Sequence, residues 1–396
     1  MQRLVMLAVS ACAACSAPDE GHLASAAPRP SPHPASPAPD AAAVPPAPPD
    51  AGTPALATRA ARIELTFTGD INFGGYFDDH YDPQEVERYD PLVEVDALLQ
   101  SDLIFSNLET TITRKLPNGG KSHDGKGNKR FVTIPERVAI LPRHHITTVT
   151  LANNHQFDNS TQGLVETPAI LSELGITSIG AARAQGPRFQ VETIDVKGWQ
   201  IGFIVATTEL NLRPRRDAAP LIAFTEPKAL TAELVPLITE ARKHHDLVVV
   251  ALHWGVQYED APQPWQIAAA HAFIDAGADA VIGHHPHVLQ GIERYHQGVI
   301  AYSLGNFVFP NAKEPIRQTG VLRLGFTRQA TAACLDLAAF HPAVQIRSPL
   351  THPIPALAKL QTLVEQRLFQ LSAARPLATR WRVDNQRFVT DPGCPP

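Results

Sequence analysis

The sequence predicts an α/β protein, and three observations lead to that prediction. Short apolar runs rich in β-branched residues recur along the chain and alternate with longer stretches of helical periodicity. Polar residues follow directly at the carboxyl-terminal end of most of these apolar runs. Glycine stands just after two helical stretches, at Gly175 and Gly277, where it typically ends a helix. This alternation is typical of buried sheets covered by helices.

The first ordered segment is predicted to begin near Arg62. Residues 63–68 alternate between apolar and polar side chains and end at Gly69 and Asp70, which predicts a strand that leads into a loop. Later apolar runs are also predicted as strands: 102–106, 147–151, 246–252, 278–282, 299–302, 321–326 and 344–347.

Helices are predicted between these strands at 164–174, 229–243 and 264–276, and after them at 357–373. In open α/β sheets, ligands bind beyond the carboxyl ends of the strands. Most of the polar motifs lie at that predicted edge of the sheet. We therefore expect the functional site there.

Composition and charge narrow the class of protein. The 396 residues include 34 Lys and Arg against 39 Asp and Glu, which gives a formal net charge of -5. A chain without a basic excess is not expected to bind nucleic acid. Beyond the amino-terminal residues, no apolar stretch reaches the length that a transmembrane helix needs.

Residues 1–15 are predicted to be a lipoprotein signal peptide. Arg3 supplies a positive charge, residues 4–9 form a short apolar run, and residues 9–12 match a lipobox whose cysteine receives lipid. Cys12 is therefore the predicted lipidation site, with Cys15 as a competing acceptor and a plain secretory peptide as the alternative. This leader predicts a protein that is secreted across the inner membrane and lipid-anchored in the bacterial cell envelope.

Residues 16–58 are predicted to be a disordered linker, because Ala, Pro, Ser and Asp dominate and such a segment cannot bury a core. The folded domain is predicted to span residues 59–330. Residues 331–396 are predicted to form a carboxyl-terminal extension that packs on this domain. Cys334 and Cys394 could pair as a disulfide in an oxidising compartment or remain two free thiols.

Side chains suited to metal binding follow the predicted strands. Carboxylate, amide and imidazole groups together suit Mn, Fe or Zn better than Ca or a thiolate site. A single His or Gly-Asp after a strand is usually structural, but six such motifs in one domain indicate a metal site. The motif residues are Asp70 with Asn72, Asn107 with Glu109, Asn154 with His155, His253, the run of His284, His285 and His287, and Asn306.

The run His284-His285-Pro286-His287 is the most informative of these motifs. His285 and His287 flank a proline, so both can point from one extended segment at a shared centre. Residues 118–129 form a Gly- and Lys-rich segment that lacks the strand and helix context of a P-loop. We interpret this segment as a mobile loop near the site.

The motifs resemble those of the CapA family of poly-gamma-glutamate capsule proteins. They occur in the expected order and span about residues 63 to 312. The most specific are GADAVIGHHPHVLQG at 277–291 and YSLGNF at 302–307. The others are FTGD at 67–70, SNLE at 106–109, LANNH at 151–155 and LHWG at 252–255.

This resemblance implies a fold related to the calcineurin-like metallophosphoesterases. That fold is a four-layer sandwich of two packed β-sheets flanked by helices. Those enzymes hold two divalent metal ions for attack on phosphorus, so the resemblance implies two divalent metal ions here, with Mn, Fe or Zn as the expected elements.

The resemblance also implies roles for particular residues. The implied metal ligands are Asp70, Asn72, Glu109, Asn154, His253, His285 and His287. The implied catalytic residues are His155, as general acid or hydrogen-bond donor, together with Asn154 and Glu109. Four further motif residues are expected to bind substrate: Asn107, Trp254, His284 and Asn306. Packing is the alternative role for Trp254.

The sequence departs from the phosphatase pattern at Asn72, where that pattern has a His. An amide binds metals more weakly than imidazole or carboxylate, so one of the two metal sites could be weak or empty. It also stays open which of His284, His285 and His287 bind metal. CapA-like proteins are linked to synthesis, export or anchoring of poly-gamma-glutamate, and this link does not imply a phosphatase reaction.

Three functions are compatible with the motifs. The preferred one is a cell-envelope protein for synthesis, export or anchoring of poly-gamma-glutamate or a similar anionic exopolymer. The alternatives are an active metal-dependent phosphoesterase or polymer hydrolase and a non-catalytic scaffold with a vestigial metal site. The expected partners are an anionic polymer or phosphoester substrate, the membrane through the lipid anchor, and membrane synthase subunits.

Overall fold

The computed structural model describes residues 59–74, 89–116, 129–181, 187–212, 222–310, 313–329, 333–348, 350–384 and 387–390. The predicted signal peptide with Cys12 and Cys15, the predicted linker and Cys394 lie outside these residues, as does the predicted loop 118–129 except for Lys129. None of the described helices combines the length and the apolar character that crossing a bilayer requires.

The secondary structure of the described residues alternates between strands and helices. The strands are β1 (Arg62–Ile71), β2 (Leu103–Leu108), β3 (Thr111–Ile112), β4 (Val132–Thr133), β5 (Thr148–Thr150), β6 (Thr177–Ile179), β7 (Glu192–Val196), β8 (Trp199–Thr207), β9 (Leu247–His253), β10 (Ala280–His284), β11 (Ile292–Tyr295), β12 (Gly298–Ala301), β13 (Asn306–Val308), β14 (Gln318–Arg328), β15 (Ala333–Ile346), β16 (His352–Pro355), β17 (Arg382–Asp384) and β18 (Arg387–Val389). The helices are α1 (Pro135–Val138), α2 (Ser160–Glu173), α3 (Pro227–Arg242), α4 (Pro264–Asp275) and α5 (Lys359–Ala373).

Two mixed sheets contain all of these strands except β3 and β4, which pair with each other. The larger sheet has the order β17-β18-β15-β14-β1-β2-β5-β6, with β13 paired to β1 and β16 paired to β15. Its strands β1, β2, β5 and β6 are parallel, whereas β14 and β15 are antiparallel. The smaller sheet has the order β11-β12-β10-β9-β8-β7, with parallel strands in its middle and antiparallel strands at both edges. The predicted α/β class is therefore confirmed.

The two sheets share one apolar core. Phe67 and Phe105 of the larger sheet pack in this core with Phe203 and Val249 of the smaller sheet. The rings of Phe105 and Phe203 stack with their centroids 5.1 Å apart. A second apolar cluster joins the larger sheet to α1 and α2, and a third joins the smaller sheet to α3 and α4. Burial of both faces explains why the central strands are almost continuously apolar.

The structure confirms the strands and helices that the sequence predicts. A strand stands at each of the eight predicted strand positions, and α2, α3, α4 and α5 coincide with the four predicted helices. The sequence analysis misses β8, a central strand of the smaller sheet. Gly202 interrupts the apolar run of β8, and a glycine inside a strand weakens the strand signal.

Two motif glycines allow backbone segments to approach closely at the ends of β1 and β10. A Cβ atom on Gly69 would lie 2.1 Å from the carbonyl oxygen of Gly305. A Cβ atom on Gly283 would lie 1.9 Å from the carbonyl oxygen of Tyr302. Any side chain at these positions would therefore displace the strand ends that carry the polar motifs.

The predicted carboxyl-terminal extension contributes strands to the larger sheet. β15 pairs with β14 from Gln318–Val344 at one end to Arg328–Ala333 at the other. Cys334 in β15 is disulfide-bonded, so the alternative of a free thiol at this position is wrong. Its partner lies outside the described residues, and pairing with Cys394 stays a prediction.

Candidate metal centre

Parallel strand ends bring the polar motifs to one place. In the larger sheet, Asp70 at the end of β1 is in register with Asn107 of β2 and Asn306 of β13. In the smaller sheet, His253 at the end of β9 is in register with His284 of β10. The carboxyl ends of both sets of strands meet, because side chains from the two sheets contact each other directly at this edge.

The centre of the site is a buried group of potential metal ligands. One ligand atom from each of Asp70, Glu109 and His253 lies within 4.8 Å of the other two. Asp70 accepts a hydrogen bond of 2.8 Å from Asn107 Nδ2, and its carboxylate also lies 3.1 Å from His284 Nδ1. Burial opposes ionisation of Asp70, but His284 and His287 hold its pKa well below the usual value. Asp70 is therefore an anion with partners.

Glu109 is different, because both of its carboxylate oxygens are buried without a hydrogen-bond partner among the described residues. Burial raises its pKa well above the ordinary value, and the carboxylates of Asp70 and Asp158 add to this rise. Three imidazole nitrogens surround its Oε1 at distances too long for hydrogen bonds: His155 Nε2 at 3.7 Å, His287 Nε2 at 3.8 Å and His253 Nε2 at 3.9 Å. A buried carboxylate that lacks a partner but faces several imidazoles fits a site for a cation.

The histidine run reaches this centre by a strained turn. β10 ends at His284, and the next residues include His285 with φ 97° and His287 with φ 58°. The expectation of one extended segment through His285 and His287 is therefore wrong, because left-handed backbone at both positions bends the chain. Convergence still results, since His285 Nδ1 lies 3.0 Å from His253 Nε2 and His287 Nδ1 lies 3.3 Å from Asp70 Oδ2. Strain of this kind concentrates at functional sites.

His253 and His285 are held in the neutral form that binds metals. Burial lowers the pKa of His253 well below its ordinary value, and the neighbouring His285 lowers it further. Burial likewise lowers the pKa of His285 to about 3, with a further contribution from His287. His253 Nε2 also lies 2.8 Å from Asn154 Oδ1. These predicted ligands are therefore grouped around one point, although their individual roles stay predictions.

His155 is oriented by a carboxylate at the wall of the site. Its Nδ1 lies 2.6 Å from Asp158 Oδ2, and Asn211 Nδ2 donates to its Nε2 at 3.0 Å. The ring of Phe131 stacks on the imidazole with the centroids 3.9 Å apart. The carboxylate of Asp158 favours the tautomer with a proton on Nδ1, so a neutral His155 presents Nε2 as an acceptor. The sequence analysis misses Asp158 and Asn211, which lie outside the quoted motifs.

Asn72 does not point its oxygen at the metal ligands. Its Oδ1 accepts hydrogen bonds from the Gly74 backbone at 2.7 Å and from the Thr110 hydroxyl at 2.8 Å. The remaining group, Nδ2, is a donor and has no partner in the described structure. An amide nitrogen is not a metal ligand, so the geometry does not support the metal-binding role predicted for Asn72.

The four residues expected to bind substrate lie below the surface of the site. Trp254 is fully buried, donates to the carbonyl of Tyr302 at 3.2 Å and packs in the cluster on the outer face of the smaller sheet. These contacts support the alternative of packing, and the predicted contact of Trp254 with substrate stays a prediction. Asn107, His284 and Asn306 are also buried and contact the predicted metal ligands, and their roles in substrate binding stay predictions.

The open part of the site is a cavity of about 550 Å³ next to His155 and His287. Its other lining side chains include amides, aromatic rings and several cations: Lys129, Arg130, Phe131, Asp158, Asn211, Leu212, Gln257, Tyr258, Phe309, Pro310, Lys313 and Arg347. The sequence analysis places the loop that ends at Lys129 near the site. It gives no signal for Lys313 and Arg347, which belong to none of the motifs.

The fold and the site together define an α/β protein with a candidate metal centre where two sheets converge. The family model described as "Bacterial capsule synthesis protein PGA_cap" matches residues 64–311. The chain belongs to this family, which confirms the resemblance to CapA proteins. It is 30% identical over 287 residues to "PGA biosynthesis protein CapA" of Bacillus subtilis (strain 168), covering 71% of this chain and 72% of that one. It is 28% identical over 289 residues to "Capsule biosynthesis protein CapA" of Bacillus anthracis, covering 72% and 68%.

Solved structures give weaker similarities. A hypothetical protein from Thermus thermophilus aligns with a TM-score of 0.38 and 15% identity, covering 74% of this chain and 98% of that one. The 5'-nucleotidase from Candida albicans SC5314 aligns with a TM-score of 0.37 and 10% identity, covering 65% and 47%.

Proposed function

We propose that this protein acts in synthesis, export or anchoring of poly-gamma-glutamate or a similar anionic exopolymer, and that it does so with a divalent-metal cleft. Membership of the capsule synthesis family supports the process. The observation that supports the cleft is the carboxylate of Glu109, which is buried, faces three imidazoles and has no hydrogen-bond partner in the described part of the chain.

The residues present fit a divalent cation. Asp70, Glu109 and His253 would hold it, and Asn154, His285 and His287 lie close enough to contribute. A bound divalent ion would polarise an oxygen of the substrate and favour ionisation of a water molecule. Asn107 keeps the Asp70 carboxylate in place, and the buried walls keep bulk water away from these ligands.

We also propose that the arrangement is the four-layer sandwich of the metallophosphatase type. The core shared by the two sheets and the helix-containing clusters on their outer faces support this arrangement. The position of the ligands at the carboxyl ends of parallel strands in both sheets supports it as well.

Attachment to the cell envelope through lipidated Cys12 is part of the same proposal, as is a role beside membrane synthase subunits. The lipobox at residues 9–12 supports the anchor. The disulfide at Cys334 supports an oxidising compartment, because such bonds persist mainly in secreted and envelope proteins.

Two measurements test this proposal. The first is the metal content of the purified full chain by mass spectrometry, beside His285→Ala, in which we expect the bound Mn, Fe or Zn to fall. The second is extracellular polymer in a deletion strain complemented with either form. Polymer that persists unchanged without the protein would refute the biological role, and a chain that takes up no metal after reconstitution would refute the metal cleft.

A second candidate function is a metal-dependent hydrolase that acts on a phosphoester or on an amide of the polymer. The pair of His155 and Asp158 favours it, because an imidazole oriented by a carboxylate beside the ligand cluster can exchange a proton with a substrate in the cavity. Turnover of a phosphodiester or of poly-gamma-glutamate with added Mn tests this function, and Asp158→Asn should lower the rate. Metal binding without turnover of either substrate would leave a non-catalytic scaffold as the remaining function.

A further inference from the structure

Four cationic side chains line the cavity beside the metal ligands: Lys129, Arg130, Lys313 and Arg347. Lys129, Lys313 and Arg347 are exposed, and Arg130 is half-buried. The Nε of Arg130 is buried and has no hydrogen-bond partner among the residues that the structure describes. None of the four forms an ion pair with another residue of the described ranges. We call these four residues the cationic rim.

Several other cations of the described structure are neutralised by carboxylates. Arg242 lies 2.8 Å from a carboxylate oxygen of Asp279, and Arg62 lies 2.8 Å from one of Asp336. Around the cavity, Asp158 is the acidic side chain of the lining, and it is engaged with His155 and a backbone N–H. The cavity therefore carries a local positive charge in a chain whose net charge is -5. Such a patch attracts anions.

The size of the cavity and the origin of the cations argue for more than one bound anionic group. A volume of about 550 Å³ is far larger than a single water-sized ion needs, and it falls in the range of about 300–1,000 Å³ typical of extended ligands. The rim residues come from three separate stretches of the chain, before β4, after β13 and after β15. Four cations along the lining of a cavity of this size suit a ligand with several charges.

We propose that the cationic rim binds successive carboxylates of a linear polycarboxylate chain and thereby leads one segment of that chain to His155 and His287. This inference rests on the proposed function and deepens it, because it assigns the residues that recognise the polymer.

Half of the rim lies outside the part of the chain that the family model matches. Lys313 and Arg347 follow residue 311, where that match ends. The metal ligands, by contrast, all lie within residues 64–311. The segments that adjoin β14 and β15 thus bring cationic side chains beside metal ligands that belong to the matched region.

Binding of gamma-linked glutamate to the full chain tests this inference. We would measure the affinity of glutamate, a short oligomer and the long polymer by calorimetry at two salt concentrations. We expect affinity to rise with chain length and to fall with salt. The double variant Lys313→Gln with Arg347→Gln should weaken binding of the polymer about tenfold and flatten its salt dependence. The matched control is Lys228→Gln with Lys359→Gln, two exposed lysines on α3 and α5 away from the cavity.

The outcomes separate this inference from the proposed function. Equal binding of the polymer by the wild type and the rim variant would overturn the proposed role of the cationic rim but would leave the polymer function in place. An equal loss in the control variant would overturn it too, because binding would then follow overall charge. A wild type that does not bind poly-gamma-glutamate but binds polyphosphate through the rim would overturn both the polycarboxylate as the class of ligand and the proposed function. Since the substituted residues are exposed, unchanged circular dichroism and melting temperature should accompany each variant; Lys129→Gln provides a second, independent rim variant.

Discussion

Removal of the charge on Glu109 should affect the metal-free and the metal-loaded protein in opposite directions. Within the described ranges, both carboxylate oxygens are buried without a hydrogen-bond partner, and burial raises the pKa of this group well above its ordinary value. In the metal-free protein, Glu109→Gln removes a charge that the folded state disfavours. We therefore expect the free energy of unfolding of the metal-free variant to be equal to or higher than that of the wild type.

The loss in the presence of metal can be worked out from linkage. A cation at about 100 times its Kd stabilises the folded state by about 2.7 kcal/mol. If loss of the Glu109 carboxylate weakens binding about 100-fold, the same concentration equals the new Kd and stabilises by about 0.4 kcal/mol. At about 2 °C per kcal/mol for a large domain, the metal-induced rise in Tm should fall from about 5 °C to about 1 °C.

Thermal unfolding of the purified protein with and without Mn or Zn at one pH measures both effects. Glu259→Gln is the matched control, because it removes one exposed carboxylate outside the ligand cluster. The reasoning is refuted if Glu109→Gln keeps the full metal-induced rise in Tm. A metal-free variant that is several kcal/mol less stable than the wild type would contradict the view that this carboxylate lacks partners.

Three further predictions concern the surroundings of the site. Trp254→Ala should cost about 3–5 kcal/mol of stability in urea denaturation, yet leave metal content per folded chain unchanged. Gly283→Ala should lower soluble yield and Tm sharply, because its Cβ would clash with the carbonyl of Tyr302. Burial raises the pKa of Asp279 to about 6 despite Arg242. Between about pH 4 and 6 the folded state therefore keeps this proton, whereas the unfolded chain loses it. The free energy of unfolding should fall by about 3 kcal/mol as the pH rises through that window, and Asp279→Asn should remove this fall.

The convergence of the metal ligands can be predicted from the sequence, and the orientation of their amides cannot. Asp70, Asn107 and His253 each follow an apolar run, and the ends of parallel strands meet at one edge. The oxygen of Asn72, however, is turned by a backbone N–H and by the hydroxyl of Thr110, which lies 38 residues away along the chain. Such an orientation depends on tertiary contacts that no local pattern records.

The residues that line the cavity are harder to predict from the sequence than the buried metal ligands. Trp254 follows His253 directly, but neighbouring residues at a strand end point to opposite faces, so one reaches the ligands and the other the outer core. Lys313 and Arg347 reach the cavity from loops after β13 and β15, and neither stands in a motif. Exposed cations in loops are common in any sequence, so a role for these two residues can be inferred only from the cavity that they line.

The charges of the centre favour one strongly bound divalent ion, whereas the resemblance implies two. Asp70 and Glu109 supply two negative charges, and the imidazoles of His253 and His285 are held neutral. Asp158, the next carboxylate, is engaged with His155 and a backbone N–H, so a second ion would be left without a compensating anion among the described residues. We expect native mass spectrometry to give about one ion per chain at moderate metal concentration, and Asp70→Asn to remove it. Two ions of equal affinity would contradict this charge argument and would require a further anion, supplied by a bound substrate or by residues outside the described ranges.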